Sequence, residues 1–381
     1  MATASIRAHV PERIKIVKRR VVRIAKRTAD KVVLGGVARP WLSVGHPSAV
    51  TQRSRPHYLI VRYGNYGPDP SYGDSSEAVL LERPLAATGR CTYEQFFWDR
   101  DFHGFPRGDW ALLDRCSRAR PDAILLSSYD PTNPAQARVE TIRILRQSWN
   151  IPIVAFWWDT CWNGFWPSIQ PILRFVDVHV VGDNPLLTFV EGPAGRVDRR
   201  RFVALWSSFD PELYVNPHRP RDIDVSFLGQ VAGYRSERLP YLEHLQAENV
   251  PLFTSLLNRA DQPPLAKYVE FLQRSKIGLN FSHSADSHQL KGRVFETMLC
   301  GALLMENENP QTRCYFAPMK DFVTFTTPAD LADKIRYYLA HDEERAEIAA
   351  RGEGRTRALY NHEIYWTRIF DALEASQTWP L

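Results

Sequence analysis

The sequence predicts an α/β protein with two Rossmann-like domains that face each other across a cleft. Its 381 residues are enough for two domains, and the 44% hydrophobic content is typical of packed cores. Apolar runs of strand length alternate with helical stretches of about 10–15 residues, which favours βαβ units and parallel sheets. This alternation occurs twice, on either side of residues 211–221, which contain three prolines. We therefore expect domains at 56–215 and 222–360.

Five apolar runs in the first half are expected to be strands. They lie at 57–63, 122–127, 151–157, 177–181 and 201–206, and a helical stretch occupies 134–149. The first run is followed by a turn made of Gly64, Asn65 and Tyr66. A glycine-bearing turn after a first strand lets the backbone approach a ligand. Because the pattern G-x-G-x-x-G is absent, no dinucleotide site is inferred.

The second half repeats the alternation. Thr327, Pro328 and Asp330 mark one helix start, because they supply an N-cap, a proline at the first position and an acid in the first turn. Predicted strands lie at 224–228 and 276–281, and further predicted helices lie at 235–246, 264–274, 343–358 and 361–375.

The stretch 288–306 carries the most chemistry in the sequence and is predicted to form a basic loop, a short helix and a strand. Lys291 and Arg293 lie at the helix start, where unpaired N–H groups and the positive end of the helix dipole favour a phosphate. Glu296 follows Arg293 by three residues on the same face, where a carboxylate can accept both hydroxyls of a ribose. Gly301 is placed where a residue of positive φ ends a helix. The alternative is a surface helix with a local Arg–Glu pair.

Several segments resemble glycosyltransferases built from two Rossmann domains, the GT-B fold, and in particular the CgeB-like branch of the group 1 enzymes. The segment Arg293-Val-Phe-Glu296, followed by Met298-Leu-Cys-Gly301-Ala-Leu-Leu, is similar to the Glu-Ala-Met-Ala-Cys-Gly segment of that family. The resemblance extends over about 222–370. Its other parts are Asp224-Val-Ser-Phe-Leu-Gly229 with Arg235 after it, Tyr315-Phe-Ala-Pro318 and Leu331-Ala-Asp-Lys-Ile-Arg-Tyr-Tyr-Leu339.

The resemblance implies a nucleotide-sugar donor bound by 222–360, an acceptor bound by 56–215, and a C-terminal helix in 361–381 that crosses back to the first domain. Glu296 matches the glutamate that binds the donor ribose in the family. Many relatives carry a second glutamate eight residues earlier, where this chain has His288. The expected donor-binding residues are Glu296, Lys291, Arg293, Arg235, Gly229, Gly292 and His288. The expected acceptor-binding residues are Gly64, Asn65, Tyr66, Trp158 and Trp162.

Asp159 is the first candidate for a catalytic base. It follows the predicted strand that ends near Trp157, and ligands of doubly wound sheets bind beyond the carboxyl ends of the strands. A carboxylate there can accept the proton of an acceptor hydroxyl; the alternative is a residue that caps the next loop. Trp158 and Trp162 can stack on a sugar or simply pack the core. His103 is a second candidate base, with local hydrogen bonding as its alternative.

The charge of the chain is concentrated at its N-terminal end. Residues 1–55 hold 13 Lys or Arg and 2 acidic residues, a local charge of +11, so the remainder carries −6. Within this basic helix and linker, residues 1–33 are expected to attach to an anionic membrane surface through an amphipathic helix. The alternatives are docking on the body of the protein and non-specific nucleic-acid binding. Our prediction names the membrane and expects no nucleic acid as a partner.

The five cysteines are odd in number and contain no C-x-x-C pair, which favours a cytoplasmic protein without disulfides or zinc. No apolar run reaches the ~18 residues of a membrane span. We expect no metal and no cofactor, and a position in the cytoplasm, peripheral at the inner membrane face. The predicted function is sugar transfer from a nucleotide sugar to a hydroxyl of a glycan, glycolipid or other acceptor. The alternatives are a sugar-nucleotide epimerase or isomerase of the same architecture, and a non-catalytic scaffold that binds lipid or RNA.

Overall fold

A computed structural model describes residues 53–65, 75–161, 165–184, 199–255, 257, 263–282 and 288–377. These residues belong to one compact unit, Arg53–Leu381. The predicted basic helix of residues 1–33 lies outside the described residues, as do Tyr66 and Trp162.

The first half forms a parallel sheet of six strands in the order β2-β1-β3-β4-β5-β6. The order reverses between β1 and β3, which makes this the switch point of the sheet. The strands are β1 His57–Arg62, β2 Thr92–Phe97, β3 Ala123–Ser127, β4 Ile153–Trp157, β5 Val178–Val181 and β6 Phe202–Ala204. Strand β2 was not predicted from the sequence, because it is an edge strand whose first four residues alternate between exposed and half-buried and form no apolar run; Phe96, near its end, is buried.

The first sheet is covered by short helices. These are α1 Arg83–Ala87, α2 Arg107–Ala119, α3 Val139–Arg143 and α4 Phe165–Ile169, with π-type turns at Ala78–Glu82 and Ile144–Ser148 and 3₁₀ turns at Leu173–Phe175 and Arg199–Arg201. The predicted helix at 134–149 was too long. Asp130 and Asn133 bind the backbone N–H groups of Thr132 and Ala135, and such local bonds compete with a helix.

The second half forms a parallel sheet of five strands in the order β11-β10-β9-β7-β8. These are β7 Ile223–Leu228, β8 Phe253–Ser255, β9 Ser275–Asn280, β10 Leu303–Asn307 and β11 Val323–Phe325. The order reverses between β7 and β9, so the ligand position expected for this sheet lies beyond the carboxyl ends of these two strands. The predicted α/β class with two parallel sheets is confirmed.

In the described part of the second half, six helices surround the sheet. They are α5 Leu239–Ala247, α6 Leu265–Arg274, α7 Gly292–Leu299, α8 Pro310–Arg313, α9 Pro328–Ala340 and α10 Asp342–Leu359. The predicted helix at 235–246 divides into a 3₁₀ turn, Gly233–Arg238, and α5, which has a proline in its first turn. The N-cap of α9 is confirmed, since the Thr327 hydroxyl accepts from the N–H of Asp330 at 3.1 Å. Gly301, just after α7, has the predicted positive φ of 75°.

The last helix, α11 His362–Ser376, leaves the second sheet and packs against the first. Trp366 is 1% exposed, and its ring lies 5.9 Å from that of Phe156 in β4. Phe370 stacks on Tyr58 of β1 at 5.7 Å. Burial of aromatic rings of this size contributes strongly to stability, so α11 ties the end of the chain to the sheet on which the described part begins.

Candidate functional site

Arg293 lies at the switch point of the second sheet. Its Nη1 donates to Oδ1 of Asn280, the last residue of β9, at 3.0 Å. A Cβ atom at Gly229, just after β7, would stand 2.8 Å from its Nη2, so only glycine allows this approach. The Nε–H of Arg293 is buried without a hydrogen-bond partner. A guanidinium in this position, in the first turn of α7, is well placed to hold an anionic group.

Glu296 points back towards the start of α7 and is held by two tyrosines. Its Oε2 accepts from the Tyr268 hydroxyl at 2.5 Å, and its Oε1 accepts from the Tyr214 hydroxyl at 3.4 Å. Burial raises the pKa of this carboxyl, and the Tyr268 bond and Arg293 oppose that shift. A Cβ at Gly292 would lie 3.3 Å from Oε1, so the carboxylate faces the first turn of the helix. The alternative of an exposed local Arg–Glu pair does not describe this residue.

Lys291 is the N-cap residue of α7, and its ammonium donates to Oε1 of Gln289. Burial lowers its pKa to about 8. The negative charge of Asp159 opposes this shift, whereas Arg238 and Arg235 add to it. An anion bound near this ammonium and the two guanidinium groups would favour the charged form of Lys291.

Arg235 and Arg238, in the 3₁₀ turn after β7, add two positive charges that act on Lys291. Arg235 donates to the side chain of Gln230 at 2.9 Å, and Arg238 donates to the backbone carbonyl of the same residue at 2.8 Å. Arg238 also donates to the carbonyl of Ser282, after β9, at 3.1 Å. Arg235 was predicted from the sequence and Arg238 was not, although Arg238 lies only three residues further along the same turn.

Two residues at strand ends of the first sheet contact the loop that precedes α7. Oδ1 of Asp159, after β4, accepts from Nε2 of Gln289 at 2.7 Å. Asp183, after β5, accepts from the N–H of Leu290 at 2.8 Å and from the hydroxyl of Thr160 at 2.8 Å. Asp183 is fully buried, and this burial raises its pKa to about 6. Gln289 and Asp183 were not predicted from the sequence, because neither residue type by itself indicates a long-range contact.

Further contacts join the two sheets beside this loop. The Tyr315 hydroxyl donates to the carbonyl of Gly182 at 3.0 Å, and the N–H of Asn184 donates to the side chain of Gln311 at 2.7 Å. Phe209, in the segment that connects the sheets, packs against Phe295 of α7 with ring centroids 5.5 Å apart. The carboxyl ends of β4 and β5 and the start of α7 are therefore held in one arrangement.

The turn predicted to contact the acceptor, at Gly64 and Asn65, makes contacts with Asp99 and Arg100 of the same domain. The backbone N–H groups of Gly64 and Asn65 donate to the two carboxylate oxygens of Asp99 at 2.7 and 3.0 Å. A Cβ at Gly64 would lie 2.7 Å from the guanidinium of Arg100. The glycine therefore accommodates Arg100, and these two N–H groups already have partners.

The remaining predicted residues lie in different surroundings. Trp158 is half-buried, stacks on Phe156 with centroids 6.4 Å apart and donates from Nε1 to Ser127 at 3.1 Å. His288 is half-buried, and its Nδ1 is buried without a hydrogen-bond partner. His103 is exposed on the loop after β2. Strand β2 is separated from β4, which Asp159 follows, by β1 and β3.

Neither a metal-binding cluster nor a membrane-spanning helix is found among the described residues. Within these ranges, no group of three or more His, Cys, Asp or Glu is placed to hold a metal ion. In the same part of the chain, no helix is both long enough and apolar enough to cross a bilayer.

Part of the chain matches a known protein family, and most of it matches the fold of solved structures. Residues 219–371 match a family model described as glycosyl transferase-like. HepE of Anabaena, solved in complex with UDP and glucose, is 11% identical with a TM-score of 0.57 over 84% of this chain and 100% of that one. Sucrose-phosphate synthase of Thermosynechococcus elongatus is 11% identical, with a TM-score of 0.57 over 84% of this chain and 100% of that one. A glycosyltransferase of Rickettsia africae is 10% identical, with a TM-score of 0.56 over 86% of this chain and 100% of that one. No curated protein matches the sequence.

The GT-B fold predicted from the sequence is confirmed, since chains of this fold superimpose on most of the protein. The predicted enzyme class, glycosyltransferase, agrees with the family match of the second half. The assignment to the CgeB-like branch stays a prediction.

Proposed function

We propose that the protein transfers a sugar from a nucleotide-sugar donor to a hydroxyl group of a glycan, a glycolipid or another acceptor. The observation that carries this proposal is the arrangement at the start of α7. Cationic groups from Lys291, Arg293 and Arg235 surround a helix N-terminus, with the carboxylate of Glu296 on the same side. A diphosphate fits the cations and the N–H groups of a helix N-terminus, and a ribose diol fits the carboxylate.

The donor is expected to be a nucleoside diphosphate sugar. HepE was solved in complexes with UDP and with UDP-glucose, which supports this donor class for a chain of the same fold. In our proposal Lys291 and Arg293 bind the diphosphate, Glu296 binds the ribose, and His288 faces the sugar. We propose that no metal takes part, because cationic side chains can balance the charge of the diphosphate themselves.

Asp159 is proposed as the general base on the acceptor side. It lies at the carboxyl end of β4 and is joined through Gln289 to Lys291. A base in this position can take the proton of an acceptor hydroxyl as the bond to the sugar forms, while the diphosphate leaves on the side of the cations. We further propose that residues 1–33 bring the enzyme to the cytoplasmic face of an anionic membrane.

A thermal-shift panel of UDP-, GDP-, TDP- and CMP-linked sugars tests the donor. We expect one nucleotide class to raise the melting temperature in a concentration-dependent way, because a ligand that binds only the folded state stabilises it. Incubation of that donor with candidate acceptors then separates the alternatives. Consumption that requires an acceptor supports a transferase, whereas conversion of the nucleotide sugar alone indicates an epimerase or isomerase. Stabilisation by none of the donors would contradict the proposal.

A further inference from the structure

A buried polar chain runs from Arg293 into the second sheet. Nη1 of Arg293 donates to Oδ1 of Asn280 at 3.0 Å, and Nδ2 of Asn280 donates to Oε1 of Glu306 at 2.7 Å. Both Asn280 and Glu306 are completely buried. Asn280 ends β9 and Glu306 lies in the adjacent strand β10. The guanidinium of Arg293 is therefore supported by hydrogen-bonded residues from two neighbouring strands.

The same carboxylate also supports the loop before α7. Oε1 of Glu306 accepts from Nδ2 of Asn309 at 3.2 Å, and this Nδ2 also donates to the backbone carbonyl of Gln289 at 3.0 Å. Glu306 is therefore connected to both sides of the proposed diphosphate position. One connection runs through Asn280 to Arg293, and the other runs through Asn309 to the residue two before Lys291.

The chemistry of the carboxylate determines the orientation of the amide beside it. An ionised carboxylate only accepts hydrogen bonds, so Asn280 must turn its NH₂ group towards Glu306. The carbonyl oxygen of Asn280 then faces Arg293, which only donates. Burial raises the pKa of Glu306 to about 7, and Thr312, Asn309, Asn280 and the charge of Arg293 favour the ionised form.

A purely structural role would not require a charge here. The hydrogen-bond partners of Glu306 described above are neutral amides, and burying a carboxylate among neutral groups is costly. A glutamine would fill the same volume without that cost, but its amide can present either a donor or an acceptor. The charged residue has the advantage that it offers only acceptors to Asn280 and Asn309, and that its bonds to them are charge-assisted.

We propose that Glu306 is a positioning residue for the donor diphosphate, which acts through Asn280 to hold the guanidinium of Arg293 over Gly229. The proposal rests on the proposed function, because it assumes that Arg293 binds the diphosphate. Glu306 itself does not contact the donor in this proposal. Its effect is to keep a long, flexible side chain in the one position that Gly229 leaves open.

Glu306→Gln tests this inference, with UDP as the diphosphate probe and uridine as the probe without phosphate; if the thermal-shift panel selects a GDP- or TDP-sugar, GDP with guanosine or TDP with thymidine replaces this pair. We expect the affinity for UDP, measured by isothermal titration, to fall by up to about 10-fold, because the bonds from Asn280 and Asn309 lose their charged acceptor and charge-assisted hydrogen bonds are about twice as strong as neutral ones. Affinity for uridine should stay within about twofold, because in this proposal Arg293 binds the diphosphate, which uridine lacks. The matched control is Glu308→Gln, two residues away, whose carboxylate is paired with Arg313 at the surface; it should bind both probes as the wild type does.

A double-mutant cycle with Arg293→Ala separates positioning from folding. If Glu306 acts through Arg293, adding Glu306→Gln to Arg293→Ala should have almost no further effect on UDP affinity. An equal loss in both backgrounds would overturn the inference and indicate a general folding effect. So would a folded Glu306→Gln protein with wild-type affinity for UDP.

Asn280→Ala provides the test if Glu306→Gln fails to fold. It removes the connecting amide and should produce the same selective loss of UDP affinity, and a wild-type affinity here would also overturn the inference. If the wild-type protein binds none of the nucleotides of the thermal-shift panel, the proposed function fails and the inference fails with it. If the wild type binds UDP and the Glu306 and Asn280 variants bind it equally well, only the inference fails.

Discussion

Nε2 of Gln289 donates to Oδ1 of Asp159 at 2.7 Å, so the loop before α7 is bonded to the end of β4 in the other sheet. The opposite end of the same amide, Oε1, accepts from the ammonium of Lys291. Gln289 is fully buried, so its side chain has little room to change conformation and leave either contact. One side chain thus sets the separation between the proposed base for the acceptor and a proposed cation for the donor.

Glu296→Ala should weaken donor binding by about 10- to 100-fold, because hydrogen bonds to a charged group contribute about 1.5–3 kcal/mol. The ribose hydroxyls would lose their acceptor. Isothermal titration with the nucleotide selected by the thermal-shift panel measures this. Glu270→Ala, on the exposed face of α6, is the control and should bind as the wild type does. Wild-type affinity in a folded Glu296→Ala protein would show that α7 is only a packed helix.

Lys291 should make donor binding depend on pH. Its pKa is lowered to about 8 in the free protein, so the ammonium loses its charge as the pH rises through that value. Because a diphosphate favours the charged form, wild-type affinity should fall between about pH 7 and pH 9. Lys291→Met should bind more weakly at pH 7 and change little over the same range. Titration at several pH values checks this, with Lys320→Met, an exposed lysine, as control; an unchanged pH profile in Lys291→Met would exclude this role.

Asp159→Asn should lower turnover by about 10²–10⁴-fold while donor affinity stays close to that of the wild type, because loss of a general base affects the chemical step. The asparagine can still accept the hydrogen bond from Gln289 through its own oxygen. Steady-state kinetics with the identified donor and acceptor measure both quantities. Asp114→Asn, on the exposed surface of α2, should leave turnover unchanged. Full activity in Asp159→Asn would remove this residue from the mechanism.

Trp366→Ala should destabilise the protein by about 3–5 kcal/mol, because it removes a fully buried ring between α11 and the first sheet. Urea unfolding followed by circular dichroism measures the change. Asp371→Ala, an exposed position on the same helix, should alter the free energy of unfolding by less than about 0.5 kcal/mol. A small effect of Trp366→Ala would mean that α11 contributes little to the stability of the first sheet.

Residues 1–33 should bind anionic vesicles in a salt-dependent manner, because exposed charges are screened beyond about 8 Å at physiological ionic strength. The basis is the local charge of +11 in residues 1–55 and the apolar face predicted within them. Co-sedimentation with phosphatidylserine vesicles should decrease steeply as salt is added and should disappear when residues 1–33 are deleted. Equal sedimentation with neutral phosphatidylcholine vesicles would contradict an electrostatic attachment.

The sequence alone determined the features that depend on near neighbours along the chain. The alternation of strands and helices, the N-cap at Thr327 and the positive φ of Gly301 all follow from periodicity or from one residue's backbone preference. The basic loop and short helix from 288 to 299 were predicted in the same way, since a helix N-terminus and its charges are adjacent in sequence. These parts of the fold are recognisable because their physical causes lie within a few residues.

Only the tertiary structure decided which distant groups meet at that helix. Edge strands such as β2 and β8 have no apolar run, so their pairing depends on neighbours far along the chain. The tyrosine at position 268 reaches Glu296 from α6, and Asn280 reaches Glu306 from the adjacent strand. Polar residues carry no periodic signal, and each gains its role only when the order of the strands brings its partner within hydrogen-bond distance.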